Sequence, residues 1–312
     1  MISRLVKKII YFLKVSTKNP IYKILHAIKN FDFKLIFIIL KYFFFKFLDK
    51  NTLKILIDND KKKKLFFKLD NFITFEYLFP EKDVPEKLIL NFIFNYFKLN
   101  SGTYFDVGSM IGLHSIVAAI ASDNSKIHAF EANKDLMEIL KNNIKNNIKR
   151  KLTINECFVT NSKLYKKNVN NEIYENYSNK IIRLDKYIKK NKINLIDVMK
   201  IDVEGAELQV LDGLKNFNLN NVNFFLIEIH PEKIRNHFKD NPERIFSIFK
   251  ERSFNLYFLD HRKIKQPIES YNDSTKKKYL DLDNFLLLVS KIKKKQIMIY
   301  FKKVTWKKYN LI

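Results

Sequence analysis

The amino-acid sequence predicts an α/β fold: a doubly wound, mostly parallel sheet with a helical N-terminal extension. Three observations lead there. Between about residue 100 and residue 290, short apolar runs alternate with helix-patterned stretches, as in successive βα units. Several runs, such as VNFFLIEI (222–229) and NFLLLVS (284–290), are near-continuously apolar, as strands covered on both faces are. The residues with most chemical potential, Asp106, Glu131, Asp202, Glu204, Glu228 and His230, all fall at the carboxyl ends of such runs, where these sheets bind ligands.

TYFDV (103–107) opens the series of strands, and GLHSIVAAIAS (112–122) follows it as a helix rich in Ala and Ile. KIHAFE (126–131) is the second strand. NKDLMEILKNNIKNN (133–147) sets Leu136, Ile139, Leu140 and Ile144 on one helical face, with Asn133 as its N-cap. LTINECFV (152–159) is the third strand, and the polar stretch 160–180 after it has no clear period. A short helix within IIRLDKYIKKNKIN leads to the fourth strand, LIDVMKIDVEG (195–205), which ends in acids and a glycine. AELQVLDGL is a helix turning at Gly213. VNFFLIEIHPE (222–232) is the fifth strand, stopped by Pro231, and PERIFSIFKER is helical. FNLYFLD (254–260) and NFLLLVS close the series. No strong helix signal joins them, so they read as an antiparallel edge hairpin.

The organisation is a basic, aromatic, mainly helical extension (1–75), a catalytic-type α/β domain (76–290) and a basic tail (291–312). The formal net charge of +25 invites nucleic acid or an anionic membrane as partner. Lys, Asn, Ile, Phe and Tyr are inflated throughout, however, and no RNA- or DNA-reading motif accompanies the charge, so no nucleic-acid partner is expected. Cys157 is the single cysteine, which excludes an intrachain disulfide and a thiolate zinc site and fits a reducing compartment. MISRLVKKIIYFLK has charges within its apolar stretch and no small-residue cleavage site, so a secretory signal is not expected and the cytoplasm is. In FKLIFIILKYFFFKFLDK (33–50), Lys41 and Lys46 interrupt a run too short to span a bilayer. Two readings stay open: a helix packed on the main domain, or a peripheral amphipathic helix on the inner membrane face.

FDVGSMIG (105–112) places Gly108 and Gly112 after the first strand, where glycine tolerates positive φ and lets backbone N–H groups approach a ligand. The spacing matches neither the dinucleotide fingerprint G-x-G-x-x-G nor the phosphate loop G-x-x-x-x-G-K-[ST]. Glu131, at the end of the second strand, is placed to accept hydrogen bonds from both hydroxyls of a ribose.

With these elements in hand, YFDVGSMIGLHSIVAA, HAFEANKDLMEILKNNIKNN, RLDKYI, DVMKIDVEGAELQVLDGL and FFLIEIHPE together resemble the FkbM family of methyltransferases. KIDVEGAELQVL (200–211) is the most specific block, and the resemblance spans about residues 75–290. It implies a seven-stranded sheet of order 3-2-1-4-5-7-6, the seventh strand antiparallel, and S-adenosylmethionine as cofactor. It also implies that Asp106, Gly108, Ser109 and Gly112 surround the methionine end of that cofactor. Glu131 would then bind its ribose, and Ala132 and Asn133 would lie beside the adenosine. Cys157 and Phe158 match the adenine-flanking position by place alone. The turn GSMIG lacks the asparagine often seen in the family's GANIG, which removes a side-chain amide from it.

Methyl transfer to a hydroxyl needs alignment and the removal of one proton. His230 or Asp202 is the candidate base, with Glu228 or Glu204 orienting it. The plainer alternative makes Lys200, Asp202 and Glu204 a structural polar knot around Gly205. A further alternative is a divalent metal on Asp202, Glu204, Glu228 and His230. His114, His128, His237 and His261 show no ligand spacing. The expected function is O-methylation of a sugar, glycan or related metabolite. A non-catalytic binding or scaffold module on the same fold, or a nucleic-acid methyltransferase, are the other readings. The asparagine-proline-proline-aromatic motif of base-amine methylation is absent, DVEG standing in its place.

Overall fold

The computed structural model describes residues 33–47, 52–57, 63–69, 72–78, 84–161, 178, 180–259 and 268–310. These form two compact units. One comprises the described residues up to Pro85 together with 304–310, and the other runs from Glu86 to Lys303.

The smaller unit contains helix α1 (Phe33–Phe47), strands β1 (Thr52–Ile57) and β2 (Lys64–Lys68), helix α2 (Phe72–Leu78) and the strand Trp306–Asn310. β1 lies between β2 and the C-terminal strand, antiparallel to both. Beside its two helices the extension thus holds a β-hairpin that was not expected, and the segment read as a tail supplies a strand. The cause is visible in the residues. TLKILI and KLFFK alternate, burying Leu53, Ile55, Ile57, Leu65 and Phe67 and leaving the lysines outside. The lysine richness of these stretches obscures a period of two. α1 packs on α2 through Tyr42 against Phe75, their rings edge-to-face at 5.4 Å. Its other side leaves Phe33, Phe37, Leu40 and Phe44 exposed.

The larger unit runs α3 (Lys87–Leu99), β3 (Thr103–Val107), α4 (Leu113–Ala121), β4 (Lys126–Glu131), α5 (Lys134–Asn147), β5 (Thr153–Glu156), β6 (Phe158–Val159), β7 (Ile181–Ile182), α6 (Leu184–Lys190), β8 (Ile196–Ile201), α7 (Glu207–Asp212), β9 (Val222–Ile229), α8 (Pro231–His237), α9 (Glu243–Lys250), β10 (Asn255–Leu259), β11 (Glu269–Ser270), α10 (Asp273–Leu280), β12 (Phe285–Ser290) and α11 (Lys294–Ile297). The main sheet has the order β5-β4-β3-β8-β9-β12-β10-β11. β5 to β9 are parallel, and β12 is antiparallel to both neighbours. This is the expected 3-2-1-4-5-7-6 order, with the short β11 added at one edge.

β8, β9 and β12 read as apolar runs because helices cover both faces of the sheet, and β12 is buried along its whole length. Asn133 caps α5 as expected, its side chain accepting from the N–H groups of Asp135 and Leu136 at 2.9 and 3.2 Å.

Two local expectations change. The third strand does not run unbroken from 152 to 159. It ends at Glu156, and β6 pairs with β7 in a separate two-stranded ribbon. β10 and β12 do pair antiparallel, but α10 separates them in sequence. That helix is held at its start by a capping box between Asn272 and Thr275, and its polar sequence DSTKKKYL carries no apolar period. His261, with the rest of 260–267, and residues 162–177 of the polar stretch after the third strand lie outside the described residues.

Candidate active site

The turn after β3 is built around backbone contacts. Gly108, Met110 and Gly112 all have positive φ, at 82°, 49° and 86°. The N–H groups of Gly108 and Ser109 both donate to the Phe130 carbonyl, at 2.9 and 3.0 Å. The Ser109 hydroxyl donates to the Asp106 carbonyl at 2.7 Å and accepts from the Phe130 N–H at 3.0 Å. Ser109 thus ties the ends of β3 and β4 together, and its polar groups are spent on that tie. Gly108 is required by a close approach: a Cβ there would lie 1.7 Å from the Asp202 carbonyl oxygen.

Asp106 is fully buried. Its Oδ2 accepts from the Ser115 hydroxyl at 2.6 Å, while among the described residues Oδ1 has no partner of hydrogen-bonding geometry. The buried Tyr104 hydroxyl is likewise without a partner of hydrogen-bonding geometry. Burial, and then the nearby Asp106 charge, holds that phenol well above its ordinary pKa.

Glu131 bridges the turn and the start of α5. Oε2 accepts from the Met110 N–H and Oε1 from the Asn133 N–H, both at 2.8 Å. Burial nonetheless pushes its carboxyl up to about 7, the two backbone donors working against that rise. Ala132 gives its carbonyl to the Ser178 N–H at 2.7 Å. Cys157 sits in the hydrophobic core beside Phe130 and Leu184, and burial pushes its thiol up to about 12. Phe158 is only partly buried.

The second half of the site is charged. Lys200, on β8 in register with Asp106, is buried and donates to Asp202 Oδ2 at 2.9 Å. Burial opposes its charge, but Asp202, Glu86, Asp106 and Glu228 more than compensate and raise its pKa. Of the polar knot expected of Lys200, Asp202 and Glu204, the structure forms the Lys200–Asp202 pair, while Glu204 turns to Lys233. The Asp202 carboxylate thus neutralises a buried ammonium.

His230, just after β9, is buried and bonded through Nδ1 to Glu207 Oε1 at 2.9 Å. Glu207 is also buried, and the same oxygen accepts from the Gly205 N–H at 2.9 Å. His230 Nε2 faces Glu204 Oε2 at 3.4 Å and Glu228 Oε1 at 3.8 Å. Burial alone would lower the imidazole pKa, but the Glu207 bond and the surrounding carboxylates raise it. Glu204 is exposed, has a positive φ of 56° and pairs with Lys233. Glu228 accepts from Asn284 Nδ2 at 2.6 Å.

The geometry thus gathers Asp202, Glu228 and His230, whose ligand atoms lie within 4.8 Å of one another. It leaves Glu204 outside that group. It also adds Glu207 and Asn284, which sequence reasoning did not assign. Glu207 lies within the quoted block KIDVEGAELQVL, but nothing in a linear pattern shows that α7 turns its carboxylate onto the ring of His230. The other assigned histidines stand apart: His114 pairs with Glu86 at 3.2 Å, His128 Nδ1 with the Tyr187 hydroxyl at 2.9 Å, and His237 is exposed.

The strand order, the glycine turn after β3 and the acid at the end of β4 define the Rossmann-like class I methyltransferase fold. Within it, residues 106–256 match the family model described as the methyltransferase FkbM domain. Over 139 residues the chain is 31% identical to the hexuronic acid methyltransferase AglP of Haloferax volcanii, covering 40% of this chain and 55% of that protein. It thus spans about half the length of that curated relative. Similar solved structures include a precorrin-6y C5,15-methyltransferase from Geobacter metallireducens GS-15, with a TM-score of 0.38 and 13% identity over 65% of this chain and 87% of that one. A putative caffeoyl-CoA O-methyltransferase from Staphylococcus aureus has a TM-score of 0.41 and 12% identity, over 67% and 85%.

Proposed function

We propose that this protein is an S-adenosylmethionine-dependent methyltransferase that methylates a hydroxyl on a sugar, glycan or related metabolite. The observation that carries this reading is the meeting of two sets of groups at one end of the sheet: Asp106 and Glu131 around the glycine turn, and the His230–Glu207 pair beside Asp202. The residues fit the cofactor. Asp106 Oδ1 is a buried acceptor without a donor, and Glu131 presents two carboxylate oxygens next to the N-terminus of α5. Asp106 would take the amino group of the methionine end and Glu131 the ribose hydroxyls, with Ala132, Asn133 and Phe158 beside the adenosine. The cofactor supplies a methyl on a sulfonium. A sugar acceptor is favoured by the relative whose name records action on a hexuronic acid. Calorimetric titration with S-adenosylmethionine and its demethylated product tests the cofactor reading. Absence of binding by either at millimolar concentration defeats it and leaves a non-catalytic module.

His230 would take the proton of the acceptor hydroxyl at Nε2 as that oxygen accepts the methyl group the bound cofactor would supply. Glu207 is a positioning residue, holding Nδ1 and thereby aiming Nε2. His230→Ala is expected to lower kcat by 100-fold or more with cofactor affinity intact. Glu207→Gln is expected to cost about tenfold in kcat and to move the acid limb of the pH profile to lower pH, because the carboxylate that raises the imidazole pKa is gone. Near-normal turnover of His230→Ala would exclude it as the base.

A divalent ion on Asp202, Glu228 and His230 would have to share Asp202 with the Lys200 ammonium and Glu228 with the Asn284 amide. We therefore assign the local positive charge to Lys200, and activity should survive exhaustive chelation.

We also place the enzyme at an anionic membrane surface, on the inner face, through α1. Phe33, Phe37, Leu40 and Phe44 recur at helical spacing and are 74, 58, 61 and 58% exposed. Lys41 lies over the Phe37 ring at 4.5 Å, at the edge of the stripe. Among the described residues no helix is long and apolar enough to cross a membrane. A stripe with adjacent positive charge suits headgroup-level binding. The protein should float with phosphatidylglycerol vesicles and not with phosphatidylcholine vesicles, and Phe37→Glu/Phe44→Glu should abolish flotation. No flotation by the unaltered protein would refute the placement.

A further inference from the structure

A second concavity lies at the β5 edge of the large unit. It measures about 430 Å³ and is lined by Thr153 and Asn155 of β5, Lys180 to Arg183, and Lys186, Tyr187, Lys190 and Asn191 of α6 and its end. In the sheet, β5 and β8 are separated by β4 and β3. Three strand spacings make roughly 14 Å, so this cleft is distinct from the Lys200–Asp202 centre. Its volume falls within the range of small-molecule sites.

The chemistry of the lining is one-sided. Among the described residues of the lining, four side chains are cationic, Lys180, Arg183, Lys186 and Lys190, and none is acidic. Lys180, Lys186 and Lys190 have no carboxylate partner among the described residues, and they are exposed at the rim. Arg183 is held in place by Asp185, behind the lining, through Nε at 3.2 Å and Nη2 at 2.5 Å. Its orientation is therefore set before any ligand arrives. The polar wall is fixed as well: the Tyr187 hydroxyl meets His128 Nδ1 at 2.9 Å and Asn155 Nδ2 at 3.3 Å. Burial, and then Lys126, lowers His128 to about 4, so at neutral pH that ring is uncharged and serves only to hold the tyrosine. Thr153, Asn155, Tyr187 and Asn191 supply hydroxyl and amide groups between the cations.

We propose that this cleft binds a small oxyanion carried on a polyhydroxylated scaffold, a sugar phosphate or an acidic sugar. The cations at the rim take the charge, with Arg183 offering its unpaired guanidinium nitrogen, and the fixed polar groups take hydroxyls. The proposal does not rest on the reading given for the active site.

Binding of glucose 6-phosphate, glucuronate, glucose and inorganic phosphate to the full chain is measured by calorimetry. Both charged sugars should bind at least tenfold more tightly than glucose. Lys186→Ala/Lys190→Ala should weaken them tenfold or more, with unchanged thermal midpoint and unchanged affinity for S-adenosylhomocysteine. Lys145→Ala/Lys215→Ala removes equal charge from elsewhere on the surface and should leave binding within twofold. Three results would each overturn the proposal: no binding of either charged sugar, inorganic phosphate binding as tightly as glucose 6-phosphate, or equal weakening by the two lysine pairs.

Discussion

Replacing Glu131 with alanine is expected to lower the affinity for S-adenosylmethionine and its demethylated product by two to three orders of magnitude, about 3–4 kcal/mol. Two losses combine. The ribose hydroxyls lose a charged acceptor, and the N–H groups of Met110 and Asn133 lose the oxygens they meet at 2.8 Å. Met110 holds a positive φ of 49°, so the turn is left with less to keep it in place. Glu131→Gln retains one acceptor and should lie between, about tenfold to 100-fold weaker than the unaltered protein.

The pH dependence gives this prediction a second readout. Burial raises the Glu131 carboxyl from an ordinary 4.5 to about 7, so the folded chain holds this proton more tightly than the unfolded chain. The group's contribution to stability is therefore present below 4.5 and lost as pH rises through about 7. Cofactor affinity runs the other way, because the ionised carboxylate is the better acceptor for two hydroxyls. Titrations at pH 6, 7 and 8 should show affinity rising with pH in the unaltered protein and flat in Glu131→Gln. Binding by Glu131→Ala within threefold of the unaltered protein would remove Glu131 from the cofactor site.

Gly108→Ala carries the largest expected cost in stability. The new Cβ would fall 1.7 Å from the Asp202 carbonyl oxygen, and φ at this position is +82°. Neither problem has an inexpensive escape. The obstructing atom is backbone at the end of β8, tied to β3 by the bond from the Asp202 N–H to the Val107 carbonyl at 2.9 Å. Moving it separates the two strands that carry Asp106 and Asp202. Destabilisation of about 3–5 kcal/mol is expected, with loss of cofactor binding. Gly205→Ala offers the internal comparison. Its φ is +106°, but its nearest obstruction is a side-chain atom, the Lys233 Cβ at 2.7 Å, with backbone no closer than 3.2 Å. It should cost less, about 2 kcal/mol. Urea melts of the three proteins decide: a Gly108→Ala variant within 1 kcal/mol of the unaltered protein would show that the turn is not rigid.

Much of this architecture was legible in the residues. The central strands are long apolar runs and α5 has a plain helical period, so the βα alternation stands out. The charged ends of those strands mark the functional edge of the sheet. The small β1–β2 sheet was not legible, because lysines on its outer face make a strand of five or six residues look like solvated charge. α10 was hidden for a related reason: its order rests on a capping box and on Tyr279 and Leu280, not on a repeating apolar face. The chemistry divides similarly. Asp106, Glu131, Asp202 and His230 are announced by position at strand ends. Glu207 is not, since its role depends on the direction a short helix takes.

The order of residues was enough for the class of fold, for the strand order implied by the blocks that resemble the family, and for the carboxylates available to a cofactor. Those follow from local patterning, which a linear chain records. The tertiary structure alone decided how the charges are paired. Lys200 neutralises Asp202, Glu207 rather than Glu228 or Glu204 makes the short bond to His230, and Ser109 spends its hydroxyl joining two strands. Such pairing depends on distances of a few ångströms between residues on different strands and helices, and on burial that sets which charges persist. Neither is written in the spacing of residues along the chain.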